Sequence, residues 1–202
     1  MGEGGGSYFE SQHSFVPGRN TQSQLLLHYK EIYEALEEGL RVDTVFLDFS
    51  KAFDKVNHEI LLKKVSKHGI KGKLLNWIKE FLSNRKFVVI ANGTVSEEGK
   101  VTSGVPQGTV LAALLCIIMI ADIDEKVKES IVRCFADDTR VSKKIEKEDD
   151  KEKLQEDLNI IYKWAEENLM YFNDEKFEQL TYGETKNIEI ESYKNPSNKV
   201  IM

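Results

Sequence analysis

Ile131-Val-Arg-Cys-Phe-Ala136-Asp137-Asp138-Thr139-Arg-Val-Ser142 is the stretch on which the fold turns. Two short runs of apolar and β-branched residues flank a pair of aspartates, the pattern of two strands joined by a tight turn. Aspartate tolerates turn geometry, so a carboxylate pair at a hairpin tip is ordinary taken alone. A second stretch adds to it: Asp43-Thr-Val-Phe-Leu-Asp48-Phe. Three consecutive apolar residues predict a strand buried on both faces, and this strand ends at a carboxylate. If the two strands pair, Asp48, Asp137 and Asp138 meet at one edge of one sheet. Like charges that close repel in a partly buried site. A divalent cation removes the repulsion, and hard oxygen ligands suit Mg²⁺. Two such ions about 3.5–4 Å apart activate an attacking hydroxyl and stabilise a leaving pyrophosphate. Periodicity and spacing alone reach an α+β domain and leave the carboxylate metal site open beside the plainer reading, an ordinary Asp-Asp turn with Asp48 as a surface residue at a strand end.

Working outward, a helix is expected from about Thr21 to Glu38, with Leu25, Leu26, Tyr29, Ile32, Tyr33 and Leu36 on one face and Gly39 as its stop. Two more should follow the buried strand, from Asn57 or His58 to His68 and from Lys73 to Ser83. Lys86 to Ala91, the Asn92-Gly93 dipeptide and the return toward Val101 read as a hairpin. Ser103-Gly-Val-Pro-Gln-Gly108 is a loop before an apolar helix that starts near Val110. The charged run Lys143–Lys153 reads as a solvated linker. A helix from about Lys151 to Asn168 shows Leu154, Leu158, Ile161, Trp164 and Ala165 at helical spacing, and a last strand lies near Phe177–Tyr182. The expected organisation is a flexible start over 1–11, one domain over 12–183 and a polar tail over 184–202 that begins an incomplete downstream segment. No internal repeat is visible.

Composition sets bounds. The 202 residues, 41% hydrophobic and 31% charged, suit one domain with a sizeable core or part of a larger enzyme. The formal net charge of -6 counts against a complete nucleic-acid-binding protein, which usually shows a basic surface. Cys116 and Cys134 lie in apolar runs and read as small core residues in a reducing, intracellular compartment. His13, His28, His58 and His68 form no cluster with cysteine that would suggest zinc. The N-terminus lacks the features of a signal peptide. The longest apolar run, Val110 to Ala121, falls short of the roughly 20 residues a membrane helix needs.

Four ordered blocks carry a resemblance. Phe46-Leu-Asp48-Phe-Ser-Lys-Ala-Phe53-Asp54-Lys-Val-Asn-His58 is similar to the first catalytic block of non-LTR retrotransposon reverse transcriptases, of the jockey and LINE type. Ser103-Gly-Val-Pro-Gln107-Gly108-Thr-Val-Leu111 resembles their second block and Phe135-Ala-Asp137-Asp138-Thr139 their third. Trp164-Ala-Glu-Glu-Asn168 through Lys176 resembles the fourth. Gln12-His-Ser-Phe15-Val-Pro-Gly-Arg19 resembles the upstream Gln-x-Gly-Phe segment. The match runs from Gln12 to Gly183. Group II intron maturases and telomerase share the palm, but the Phe-Ala-Asp-Asp-Thr and Ser-Lys-Ala-Phe-Asp blocks favour the retrotransposon type.

The resemblance implies an α+β palm: a largely antiparallel sheet with helices packed on one face. It implies an RNA-directed DNA polymerase that uses two Mg²⁺ ions (Mn²⁺ as a substitute), deoxynucleoside triphosphates, an RNA template and a DNA primer, in the nucleus or cytoplasm and without a membrane partner. Asp48, Asp137 and Asp138 match the catalytic, metal-binding aspartates, and the Phe49 backbone carbonyl a further metal ligand. Phe53 matches the aromatic residue under the nucleotide sugar. Gln107 and Gly108 match the loop that lines the nucleotide pocket. Lys176 matches a lysine that protonates the leaving pyrophosphate. Ser14 and Val16 depart from the usual Gly and Arg, Ala112-Ala113 from Gly-Pro or Ala-Pro, and Ala121 from Asn. Fingers and thumb segments are expected outside these residues, so the chain reads as a palm fragment. The competing expectation is a catalytically silent remnant, at most a nucleic-acid-binding module.

Overall fold

The computed structural model describes residues 11–184 and 192–194. In chain order the elements are α1 (Thr21–Glu37), β1 (Arg41–Leu47), α2 (Ala52–Lys55), α3 (His58–Lys67), α4 (Gly72–Leu82), β2 (Lys86–Phe87), β3 (Ile90–Ala91), β4 (Thr94–Val95) and β5 (Gly99–Lys100). Then come α5 (Val110–Ile120), β6 (Ile131–Phe135), β7 (Asp138–Ile145), α6 (Glu148–Glu167) and β8 (Glu178–Tyr182). The described residues fall into two compact units, one within residues 1–50 and 120–202, the other of residues 51–119.

The first unit is built on an antiparallel sheet of order β6-β7-β1-β8. β1 is central and buried along both faces, with only Phe46 part-exposed, as its unbroken apolar core predicts. β7 is longer than the linker expectation allows. Lys143–Ile145 are strand, because Ile145 is fully buried and pairs with Arg41. The acidic residues that follow start α6: the Asp150 carboxylate accepts the backbone N–H groups of Glu146 and Lys147, satisfying donors at a helix N-terminus. The predicted apolar stripe of α6 is buried throughout, at Leu154, Leu158, Ile161, Trp164 and Ala165.

α1 has the expected bounds but turns a different side inward. His28, Ile32 and Ala35 are its buried residues, packed with Val42, Leu40 and Tyr182. Leu25, Leu26, Tyr29, Tyr33 and Leu36 remain exposed. Ion pairs accompany the inward face, on which Ile32 keeps its predicted place. The sheet face beneath α1 presents Arg133 and Lys144, which pair with Glu31 and Glu38 on the same side of the helix as His28. Next along β1, Asp43 points to the other face, where it accepts the Tyr193 hydroxyl at 2.7 Å, while the adjacent Lys194 N–H bonds Gln155 of α6. Helices therefore cover both faces of this α+β sheet.

The buried Arg41–Asp43 ion pair, 3.1 Å long, is completed by Tyr193 and by the Thr181 hydroxyl at 3.0 Å, as buried charges require. So part of the predicted polar tail packs onto the sheet. At the other end Ser11, the last residue of the predicted flexible start, is buried and its carbonyl accepts the Cys134 N–H; the rest of that start lies outside the described residues. Both cysteines are buried.

In the second unit, α3 is capped by Asn57, whose side chain accepts from Glu59 and Ile60 N–H, and ends at Gly69 with φ +87°. The buried Lys64 ammonium reaches the Met119 carbonyl at 2.7 Å. Asn92 and Gly93 both have positive φ, as a two-residue hairpin turn needs. The hairpin is interrupted into β3–β4 and β2–β5, because the Ser96 hydroxyl takes the Val89 N–H between them. Among the described residues no helix is long and apolar enough to cross a membrane.

Candidate active site

Register brings the aspartates to one end of the sheet. Leu47, the last residue of β1, pairs with Thr139, so the next step along each strand sets Asp48 level with Asp138. Phe135 pairs with Asp138, which leaves Ala136 and Asp137 as the turn. Asp48 and Asp138 line one pocket of about 660 Å³, together with Thr21, Leu25, Phe46 and Lys176. Asp137 stands at the turn tip beside this lining rather than in it.

The chain after β1 is clamped from the side. Asn173 N–H donates to the Asp48 carbonyl at 2.7 Å and Ser50 N–H to the Tyr171 carbonyl at 2.8 Å. Phe49 and Phe172 face each other in this bridge, rings stacked with centroids 4.3 Å apart. The bridge bonds come from the flanking residues, so they leave the Phe49 carbonyl unengaged.

Partial dehydration raises the Asp138 carboxyl above its usual range, and the charges of Asp137 and Asp48 push it further; Lys176 opposes. The aspartates thus feel one another. Among the described residues, however, no three His, Cys, Asp or Glu side chains gather into a ready cage for an ion. The expectation of three converging carboxylates is met only as far as one shared sheet end. Like charges repel, and the cation that answers Asp48 is Lys176, at 2.7 Å.

The remaining predicted residues lie in the second unit. The loop over 103–107 is pinned to the segment of Phe53 and Asp54: Val105 N–H donates to the Phe53 carbonyl, Ser103 Oγ to the Asp54 carbonyl, and Gln107 Nε2 to Asp54 Oδ1 at 2.8 Å. Gln107 is therefore tied to Asp54, the residue after Phe53. Gly108 is exposed, with φ +81°.

Residues 7–196 match the family model described as reverse transcriptase (RNA-dependent DNA polymerase). The chain belongs to the reverse transcriptase family. Its similarity is to the non-LTR retrotransposon type: it is 34% identical over 165 residues to the RNA-directed DNA polymerase from mobile element jockey of Drosophila funebris, covering 76% of this chain and 18% of the relative. It is 32% identical over 183 residues to the jockey polymerase of Drosophila melanogaster, covering 85% of this chain and 19% of the relative. The chain thus spans less than a fifth of either. Among solved structures, apo telomerase from Candida tropicalis, truncated from its C-terminal domain, superposes with a TM-score of 0.65 at 13% identity, over 90% of this chain and 38% of that one. A Candida albicans telomerase complexed with a telomeric RNA fragment gives 0.64 at 13% identity, over 92% of this chain and 32% of that one. These two show the fold.

Sequence reasoning missed supporting residues of this reverse transcriptase domain. His58 Nε2 and Arg85 Nη2 both meet the Gly104 carbonyl, at 2.8 and 2.5 Å, and so hold the second block's loop. His58 was visible as part of the first block, but Arg85 stands in no motif. Arg140 and Glu178 border the pocket from β7 and β8; only strand register reveals that.

Proposed function

We propose that this reverse transcriptase domain catalyses nucleotidyl transfer, adding deoxynucleotides to a DNA primer along an RNA template. The carrying observation is that Asp48 and Asp138 line one pocket at the same end of the sheet, with Asp137 at the adjoining turn. The donor set fits hard divalent ions: all are oxygens, and the raised Asp138 carboxyl marks charge that a cation would relieve. Asp48, Asp137, Asp138 and the Phe49 carbonyl would hold two Mg²⁺ ions, with Mn²⁺ as a substitute. When bound, such ions activate the attacking hydroxyl and stabilise the leaving pyrophosphate.

The chain's own groups do the rest. The hydrogen bond from Lys176 to Asp48 raises the ammonium pKa, which makes it a poorer acid while that contact lasts, so Lys176 would give its proton to the leaving group only after letting go of the carboxylate. Phe53, Gln107 and Gly108 form the nucleotide-binding set, in which a flat ring at 53 excludes a ribose 2′-hydroxyl. The domain over 12–183 works within a longer intracellular enzyme whose fingers and thumb grip the duplex, since positioning supplies much of phosphoryl-transfer catalysis.

The test is primer extension on a primed RNA template by the protein made from its whole reading frame. Mg²⁺-dependent DNA synthesis should be abolished by Asp48→Asn and by Asp137→Ala. Synthesis that survives both substitutions sinks the assignment.

A further inference from the structure

One amide side chain holds the turn that carries Asp137. Gln12 Oε1 accepts the Ala136 N–H at 3.0 Å, and Gln12 Nε2 donates to the Ala136 carbonyl at 3.1 Å, across 124 residues of sequence. Both main-chain groups of one turn residue end on one side chain. That residue needs the help. Ala136 has φ +53° at the first position of a two-residue hairpin turn, a conformation in which glycine is usual and alanine is strained.

Gln12 is itself fixed. It is 2% exposed, and its Oε1 also accepts the Ser14 N–H at 2.9 Å. Its backbone bridges Cys134 in parallel, through Cys134 N–H to the Ser11 carbonyl at 2.7 Å and His13 N–H to the Cys134 carbonyl at 2.9 Å. Its carbonyl accepts Arg19 Nη1 at 2.8 Å. The clamp is therefore anchored on the strand that leads into the turn, two residues before Ala136.

We propose that Gln12 is a positioning residue: its amide locks the Ala136-Asp137 turn and thereby sets where the Asp137 and Asp138 carboxylates stand. This rests on the reading of those aspartates as metal-binding groups. The plain alternative is a buried glutamine that satisfies its own hydrogen bonds and adds only to general stability. The two differ in locality. A clamp is felt at Ala136 and the carboxylates, and glycine at 136 should make it dispensable.

Two readouts on the purified chain separate them: hydrogen exchange at the Ala136 amide, and Mn²⁺ binding followed by paramagnetic resonance. Gln12→Met removes both bonds at similar volume. It should speed Ala136 exchange and weaken Mn²⁺ binding, each by about tenfold, the scale of one or two lost hydrogen bonds. Adding Ala136→Gly to that variant should restore most of the Mn²⁺ affinity. Val141→Ala, a core change on the same sheet, should lower stability and leave Mn²⁺ binding near wild type. If Gln12→Met does not fold, Gln12→Asn, which stays polar but is one methylene too short to span both Ala136 groups, makes the same comparison.

Unchanged Ala136 exchange in the Gln12 variant overturns the clamp, as does a Val141→Ala loss of Mn²⁺ affinity equal to its own or a failure of Ala136→Gly to restore binding. Should Asp137→Ala leave Mn²⁺ binding untouched, the metal-site reading falls by itself, and Ala136 exchange still decides whether Gln12 holds the turn.

Discussion

Lys176 Nζ lies 2.7 Å from Asp48 Oδ2, a contact made across the end of the sheet by two residues 128 positions apart. Both ends are built to meet. Lys176 N–H bonds the Asn173 carbonyl, and Asn173 N–H bonds the Asp48 carbonyl, so the turn that carries the lysine is tied to the strand that carries the carboxylate. The ammonium and a divalent ion would compete for the same oxygen. Lys176→Met should therefore tighten Mn²⁺ binding no more than a few-fold, since the lysine is exposed and solvent screens its pairing with the part-buried Asp48. If Lys176 also donates the proton to pyrophosphate, the same variant should lower the extension rate of the whole enzyme at saturating nucleotide. Weaker Mn²⁺ binding on removal of this positive charge would contradict the competition.

Phe53 is half-buried, with its carbonyl fixed by Val105 N–H. Its backbone is thus held while its ring is the variable part. In the full-length protein, Phe53→Val should raise ribonucleotide over deoxynucleotide incorporation by at least about tenfold, the range that one shape contact supplies. Competition between the two nucleotides in primer extension measures it. An unchanged ratio removes the sugar-gate role from Phe53.

Gly104 has φ +80°, and a Cβ there would stand 2.8 Å from the Asp54 Cα and from the Phe53 and Asp54 carbonyl oxygens. These are backbone atoms and cannot swing aside. Gly104→Ala should destabilise the second unit by about 1–3 kcal/mol, combining an unfavourable backbone region with a direct clash. Chemical denaturation of the variant checks this. Wild-type stability would mean that the loop is not seated against Asp54.

How much was legible depended on how local the cause was. The strand ending at Asp48, the Asn92-Gly93 turn and the buried stripe of α6 were readable because apolar runs and turn chemistry act within a few residues. The inward face of α1 was legible only at Ile32, because its leucines and tyrosines outnumber its buried residues, while the partners of Glu31 and Glu38, Arg133 and Lys144, come from distant strands. The charged run after Ser142 looked solvated, yet it contains a strand end fixed by pairing with β1. At the site, the aspartates were visible through the block they occupy. Gln12 stood in a quoted segment with no role, since nothing local shows that its amide reaches Ala136.

His28 offers a test of the α1 interface. Both of its ring nitrogens are buried without a hydrogen-bond partner, and its ring packs edge-on against Tyr182. Burial, with the charges of Arg140 and Arg133 nearby, lowers its pKa from 6.5 to about 4. The folded state therefore favours the neutral ring, and the unfolded chain takes up the proton first as pH falls. Stability from this group is complete above pH 6.5 and is lost as pH falls through about 4. His28→Phe keeps the ring contact with Tyr182 and removes the titration. Between pH 7 and pH 4.5, the wild type should lose more unfolding free energy than the variant, by on the order of 1–2 kcal/mol, with acidic residues elsewhere contributing equally to both. Urea unfolding of the two proteins at the two pH values measures the difference. Equal losses would mean that His28 is solvated or already charged beneath α1, and the packing of that helix on Val42 and Tyr182 would have to be redrawn.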